Sequence, residues 1–384
     1  MTKILWVGDA CVASGFATVT HSVLDNLDGY EIYVLGVNYT GEPHDYQYKI
    51  WPSRNGMDVL GVTRIASMVE GLKPDVVILF NDLWVIKQYY DVLHKTPKNY
   101  KLLTYFPVDG TGYNQEWVDI LYDFDGVAVY TEFAKSVVEE AGFHNPIRII
   151  PHGVDRKAFF PVDKKLARAY LSNIPNDWFI VFNGNRNQAR KRIDITIKGF
   201  CKFAADKPDA RLYLHMGLKD VGWDLLPLMD RECKRHGLKI DERLIITNPE
   251  LSPRKSVPRE HLNIIYNCAD VGVNTSLGEG FGLVNFEQSA CGVPQIVPDY
   301  SACKELYEGR GLLLPIRQYI TAVQINTEGG LVHEDDVAAA LDTYYYNRDL
   351  AKQHAEAMLS YIDDPKFSWK NVAKQFDDMI QSVL

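Results

Sequence analysis

Residues 270–299 read DVGVNTSLGEGFGLVNFEQSACGVPQIVPD, and this stretch decides the fold. A short apolar run ends at Asn274, a loop with three glycines follows, and a helical pattern begins near Leu283. After Gly292 and Pro294 a second apolar run opens. Strand, glycine loop, helix and strand make the repeating unit of a parallel sheet, and a run apolar at every position is a strand covered on both faces. Gly280 and Gly282 supply the bend and leave the first helical amides, from about Phe281 to Leu283, without partners inside the helix. Those N–H groups and the positive helix end form an anion site at the carboxyl edge of the sheet. Glu279 lies in the loop before that site, and Glu287 about one turn inside the helix. A carboxylate repels phosphate, so these two are expected to serve neutral hydroxyls. Being acceptor-only, each can take both protons of a cis-diol, the arrangement that ribose and hexose present.

Outward from this stretch the same alternation fills most of the chain. Apolar strand patterns fall at 3–9, 30–38, 75–82, 100–109, 124–131 and 147–155, with helical patterns at 17–28, 58–74 and 131–143. The rhythm breaks at about 155–176, where two prolines and no long apolar run mark a connection. A second series then starts with FIVFNGN at 179–185. The expected fold class is therefore α/β, with two Rossmann-like doubly wound parallel-sheet domains over residues 1–157 and 176–365 and a separate amphipathic helix within 366–384. Residues 248–260 hold three prolines and are expected as a loop; residues 317–332 alternate like a hairpin with a Gly-Gly turn.

Composition narrows the function. The 384 residues are 46% hydrophobic and 24% charged, ordinary values for a globular chain, and the net charge is −9. Residues 1–160 carry −7 of that charge, a poor basis for polyanion binding. The six cysteines stand singly, most within apolar runs, and imply buried thiols in a reducing compartment rather than disulfides or a zinc knuckle. No stretch approaches the ~18–20 apolar residues of a membrane span, and the N-terminal run MTKILWVGD reads as a first strand, so a cytoplasmic protein is expected. The ten histidines show no zinc spacing, and no metal is expected. The Asp123–Phe124–Asp125 triplet has the form of a metal-binding pair but stands at the start of an apolar strand, where a turn is expected. There is no Walker motif, and the loop ASGFATVT lacks the three-glycine dinucleotide pattern. Tyr30, Tyr33, Tyr39, Tyr46, Tyr48 and Trp51 cluster early; such rings can stack on sugars or bases, although strand and core packing accounts for most of them.

A second constellation, FNGNRNQARKRID at 182–194, also leaves a strand and precedes a helix. Arg186, Arg190, Lys191 and Arg192 gather there at the same sheet edge. A departing diphosphate needs about two positive charges near it, and Arg supplies a fork where Lys supplies a point charge.

With both constellations in place, the chain resembles the family-4 glycosyltransferases of the GT-B architecture. Glu279 and Glu287 match that family's pair of glutamates separated by seven residues, completed by Gly292 and Pro294. GNRNQARK is similar to its Arg/Lys pair that holds the donor pyrophosphate, here Arg186 and Lys191, and IIPHGVD to the segment closing its first domain, with His152 where Asn is usual. The resemblance implies an interdomain cleft and a terminal helix crossing back to the first domain. It implies a retaining, metal-independent transferase that moves a sugar from a UDP- or GDP-linked donor to a carbohydrate or glycolipid acceptor. Glu279 would then hold donor hydroxyls and Glu287 the ribose, with Gly15, Asn248, Gly280, Phe281, Gly282 and Leu283 on the donor side. The sequence departs from the family where a Gly pair gives way to the single Gly15, and where YFPVDG puts Asp109 in place of a His-containing turn. Three other readings remain: a nucleotide-sugar epimerase or phosphorylase of the same fold, a non-catalytic sugar-nucleotide-binding module, and a transferase acting on hydroxymethylated bases in DNA. For the last, Arg254, Lys255 and Arg259 would supply a local basic patch.

Overall fold

The computed structural model describes residues 1–247, 251 and 257–384. They form two compact units, one of Met1–Gly153, Val323–Thr327 and Pro365–Leu384, the other of Val154–Ala322 and Glu328–Asp364.

The first unit carries seven strands: β1 (Thr2–Asp9), β2 (Tyr30–Val37), β3 (Lys49–Pro52), β4 (Val76–Phe80), β5 (Lys101–Phe106), β6 (Gly126–Val129) and β7 (Ile147–Ile149). All pair in parallel, in the order β3-β2-β1-β4-β5-β6-β7. The chain reverses direction across the sheet between β1 and β4, and β4 is buried at every position, as its unbroken VVILF requires. β3 has only four residues and no apolar run long enough to be read from sequence. The helix expected over 58–74 is confined to Ile65–Leu72. Before it, the Asp58 carboxylate accepts the amides of Leu60, Gly61 and Thr63 at 2.8–3.0 Å, and this side-chain turn displaces the first helical turns.

The helix Trp369–Gln381 belongs to this unit although it lies at the far end of the chain. Its buried positions, Trp369, Val372, Ala373, Phe376, Met379 and Ile380, follow helical spacing and form one face. The Phe376 ring stands 5.6 Å from Trp6 and 4.9 Å from Tyr105, and Arg148 donates to Ser382 at 3.1 Å. A β-carbon on Gly153 would come within 2.8 Å of the Trp369 ring, so the close approach needs glycine. His152 is packed among Tyr105, Tyr130 and Trp369, and burial pushes its imidazole down to about 3. It stays neutral, as the core around it requires.

The second unit repeats the plan with β8 (Phe179–Asn183), β9 (Ala210–Leu214), β10 (Leu244–Ile246), β11 (Val271–Val273), β12 (Gln295–Pro298) and β13 (Leu312–Leu314), all parallel and ordered β10-β9-β8-β11-β12-β13. The stretch expected to connect the domains packs instead as part of this unit from Val154 onward. Arg168, in the helix Lys164–Tyr170, is 1% exposed; it donates to the Cys268 carbonyl at 3.0 Å and pairs with Asp270 at 2.7 Å. An antiparallel hairpin, β14 (Gln318–Thr321) with β15 (Glu328–Leu331), replaces the hairpin expected to turn at Gly-Gly. Gly329 and Gly330 lie inside β15, not in its turn. A β-carbon on Gly329 would meet that of Leu277 at 2.7 Å, so the glycines let the hairpin lie on the loop that leads to Glu279.

Replacing Phe376 by Ala should remove about 3–5 kcal/mol from the first unit, read as an early unfolding transition in urea; an unchanged midpoint would show that the last helix adds nothing to that core.

Candidate active site

β8 and β11 are neighbours, so the loops that leave their carboxyl ends run side by side. Leu277 N donates to Arg190 O at 2.8 Å, and the Arg190 guanidinium reaches Gly278 O at 3.0 Å. Lys191 closes a single 3₁₀ turn, and Arg192, with φ +48°, swings the chain into the helix Ile193–Phe203. This bend turns the Lys191 side chain inward, where it is 9% exposed. Its ammonium donates to both carboxylate oxygens of Glu279, at 2.5 and 2.6 Å.

Glu279 is itself buried and densely hydrogen-bonded. It accepts from Asn274 Nδ2 at 3.0 Å and Ser276 Oγ at 2.6 Å, with the Arg190 guanidinium 3.8 Å away. Burial pushes its carboxyl up, but the charge of Lys191, then that of Arg190, and the bonds from Lys191 and Ser276 outweigh it and hold the group at about 2. Its backbone amide is fixed by Ser301 Oγ at 3.0 Å, and Ser301 takes φ +50° in doing so. With this many additional donors the buried ion pair is satisfied in its place.

The other basic residues of 182–194 separate. Arg186 forms a two-point pair with Asp220, at 2.6 and 3.0 Å, and its side chain is 46% exposed. Arg192 closes onto Asp194. The four cations therefore do not form one exposed knot. Arg186 takes an open loop position, whereas Lys191 is buried and bonds both oxygens of the Glu279 carboxylate, which Arg190 approaches only to 3.8 Å.

The helix Leu283–Ala290 begins at Gly282, whose φ of +85° is a left-handed conformation that glycine alone takes without strain. No side chain caps this end; Phe286 N makes the bond to Gly282 O, and the amides of Leu283 and Val284 face out of the helix end. Gly280 lies in the loop without a left-handed φ. The Phe281 ring is buried edge-on against Phe286 at 5.0 Å, so this residue offers its backbone. Glu287, partly exposed, takes the Tyr266 hydroxyl at 3.4 Å. Burial raises its carboxyl most, Arg259 and the Tyr266 bond lower it, Asp155 raises it again, and the net value is about 7.

Gly15 and Asp109 belong to the first unit. Gly15 opens the helix Gly15–Leu24, capped by Ser14, whose hydroxyl accepts from Ala17 N and donates to Asp9 at 2.7 Å. Asp109 lies partly buried, just past the end of β5. Asn248, and with it Arg254 and Lys255, lies outside the described residues. Asp123 is taken up by Tyr90, and Asp125 by Lys98, Lys101 and the Leu102 amide, as a strand-edge turn requires. Sequence reading passed over Asn274, Ser276, Asp220 and Tyr266. Asn274 and Ser276 carried a signal, since polar residues directly after a buried strand face the sheet edge; Asp220 and Tyr266 carried none.

Two parallel six- and seven-stranded Rossmann-like sheets, with this site at the carboxyl edge of the second, define the GT-B class. Residues 256–376 match the model of Family 4 Glycosyltransferase in conflict systems. A D-inositol 3-phosphate glycosyltransferase of a Mycobacterium species is 31% identical over 183 residues, 46% of this chain and 38% of that protein. The counterpart from Geodermatophilus obscurus is 28% identical over 64% of this chain and 49% of its own length. The chain thus spans less than half the length of these relatives. Among solved structures, sucrose-phosphate synthase from Thermosynechococcus elongatus superposes with TM-score 0.77 at 18% identity, covering 100% of this chain and 99% of that one. Anabaena HepE in complex with UDP-glucose gives 0.74 at 14% identity over 100% of both. The chain is family-4-like in sequence and GT-B in architecture.

Removing the ammonium alone, by Lys191→Met, should cost about 3–5 kcal/mol because it leaves Glu279 charged and buried. The double variant Lys191→Met/Glu279→Gln should recover most of that loss in urea unfolding. Because the Glu279 carboxyl is held below its unfolded value, the pair's contribution is present above about pH 4.5 and lost toward pH 2. A single variant as stable as the wild type would contradict this account of the pair.

Proposed function

We propose that the protein is a glycosyltransferase that moves a sugar from a nucleotide-activated donor to an acceptor hydroxyl. The observation that carries this reading is the buried Lys191–Glu279 pair set immediately before an uncapped helix end. A diphosphate at that end draws on the amides of Leu283 and Val284 and attracts the Lys191 ammonium. Glu279, relieved of its cation, then has oxygens for the donor's hydroxyls. Arg186, at the loop surface, adds the second charge by exchanging Asp220 for a phosphate oxygen. Glu287 takes the ribose diol. Gly280, Gly282 and the backbone of Phe281 leave room for the phosphates.

In the reaction the anomeric carbon's bond to the diphosphate oxygen breaks and the acceptor oxygen bonds to that carbon. The acceptor's proton leaves with the diphosphate. Charge gathers on the departing oxygen, where Lys191 and Arg186 stabilise it and do the work a divalent ion does in other transferases. Retention of configuration follows from the resemblance. The glycosyltransferase names of the relatives and the UDP-glucose held by HepE support a UDP-linked donor. A carbohydrate acceptor fits the acidity of residues 1–160, and Asp109 is our candidate for positioning its hydroxyl. We place the reaction in the cytoplasm because all six cysteines are free thiols; no helix among the described residues is long and apolar enough to cross a membrane.

Lys191→Met and Arg186→Ala should each lower sugar transfer by about 100-fold or more, measured with UDP-glucose, GDP-mannose and a saccharide acceptor panel in the presence of EDTA. Wild-type turnover in both variants would end the leaving-group assignment, and activity restored only by manganese would end the metal-independent one. Transfer to hydroxymethylated duplex DNA in place of saccharides would overturn the acceptor.

The Glu287 carboxyl, raised to about 7, sets a second test. Ribose hydroxyls donate to the ionised form, so nucleoside diphosphate affinity should rise as pH climbs through 7 and then level off. Proton release should accompany binding below pH 7. Calorimetry in buffers of different ionisation enthalpy reads both, and Glu287→Gln should abolish both; an identical pH profile in that variant would remove Glu287 from the ribose.

A further inference from the structure

His215 stands just past the end of β9, tied to the neighbouring β8 by its amide, which donates to Asn183 O at 3.1 Å. Its ring is partly exposed, and its centroid lies 6.3 Å from that of Phe182. Phe182 meets Tyr266 edge-on at 5.5 Å, and Tyr266 bonds Glu287. A β-carbon on Gly184 would come within 2.8 Å of the Phe182 ring and 3.1 Å of Val284 Cγ1, so the same ring borders the uncapped helix end. His215, Glu287 and the helix end that begins at Leu283 are thus gathered around one pair of rings at one sheet edge.

The state of the imidazole is fixed. Thr247 donates its single hydroxyl proton to the Tyr213 hydroxyl at 3.1 Å, so toward His215 Nδ1, 2.7 Å away, it can only accept. The ring proton is thereby held on Nδ1, and Nε2 keeps its lone pair. Among the described residues no hydrogen bond engages Nε2. Burial pushes the imidazole down to about 4, so it stays neutral at pH 7.

A nitrogen that can only accept selects its partner by the proton that partner brings. Uracil at N3 and guanine at N1 present an N–H on the edge by which bases are read. Cytosine at N3 and adenine at N1 present a lone pair in the same place. Two facing lone pairs leave both atoms without a partner, a loss of about ten- to hundredfold in affinity.

We propose that His215 reads the base of the donor nucleotide and selects uracil or guanine over cytosine and adenine. The place of the base rests on the transferase reading, with the diphosphate at the helix end after β11 and the ribose on Glu287. From there β9 is two strands across the sheet, about 10 Å, a span that one nucleoside covers. His215 meets no reacting atom; its part is the choice of donor.

Calorimetry on the full chain with UDP, CDP, GDP and ADP tests this, since each pair of like ring size differs at that edge. UDP should bind at least about tenfold tighter than CDP, or GDP than ADP, in whichever ring size the site admits. His215→Ala should make the two members of that pair nearly equal. Thr247→Val keeps the ring but lets its proton move to Nε2, and should narrow the ratio as well. Equal affinity within both pairs in the wild type, or the wild-type ratio in either variant, would overturn the role of His215 and leave the transferase reading standing. Binding of none of the four would remove that reading, and the base assignment with it.

Discussion

A lysine and a glutamate buried together at the edge of a parallel sheet constrain everything around them. Neither charge is tolerable alone in such a place, and together they remain costly unless every remaining lone pair and proton is occupied. Asn274, Ser276 and Arg190 meet that demand, and each is delivered by a loop that leaves a neighbouring strand. Ser301 and Arg192 accept left-handed backbone conformations in the same service. Strain and polarity therefore concentrate at one edge of the second sheet, while its strands and helices are filled with aliphatic and aromatic packing.

The two units finish comparable helix ends differently. In the first unit the helix after β1 has its end filled by Ser14, which Asp9 holds in turn. In the second unit the helix after β11 is left open behind Gly282. The same βα unit has a closed helix end in one place and an uncapped one in the other, and a single capping side chain makes the difference.

Much of this was legible in the chain itself. Runs such as VVILF and FIVFN declare strands buried on both faces, and their alternation with amphipathic stretches yields two parallel sheets. The glycine loop before Leu283 announces its open helix end. What sequence could not give were choices settled at a distance. KIWP is too short to carry a period. Asp58 diverts its neighbours from a helix through its own side chain. Among four adjacent cations, nothing local says that Lys191 rather than Arg190 turns inward, because its partner lies 88 positions away. The Gly-Gly of 329–330 looks like a turn until the close approach of Leu277 is seen.

The first unit is discontinuous in the chain, and this has a bearing on its biogenesis. Tyr30 of β2 and Asp377 of the last helix bond across 347 positions, and Phe376 fills the space between Trp6 and Tyr105. A ribosome releases the whole second Rossmann-like sheet before those residues emerge. During synthesis the first sheet therefore waits, with an apolar face unsealed, while the later one is already able to collapse on its own. The order of birth and the order of completion are reversed, and holding that unfinished face away from other nascent chains falls to whatever escorts the polypeptide until its last helix arrives.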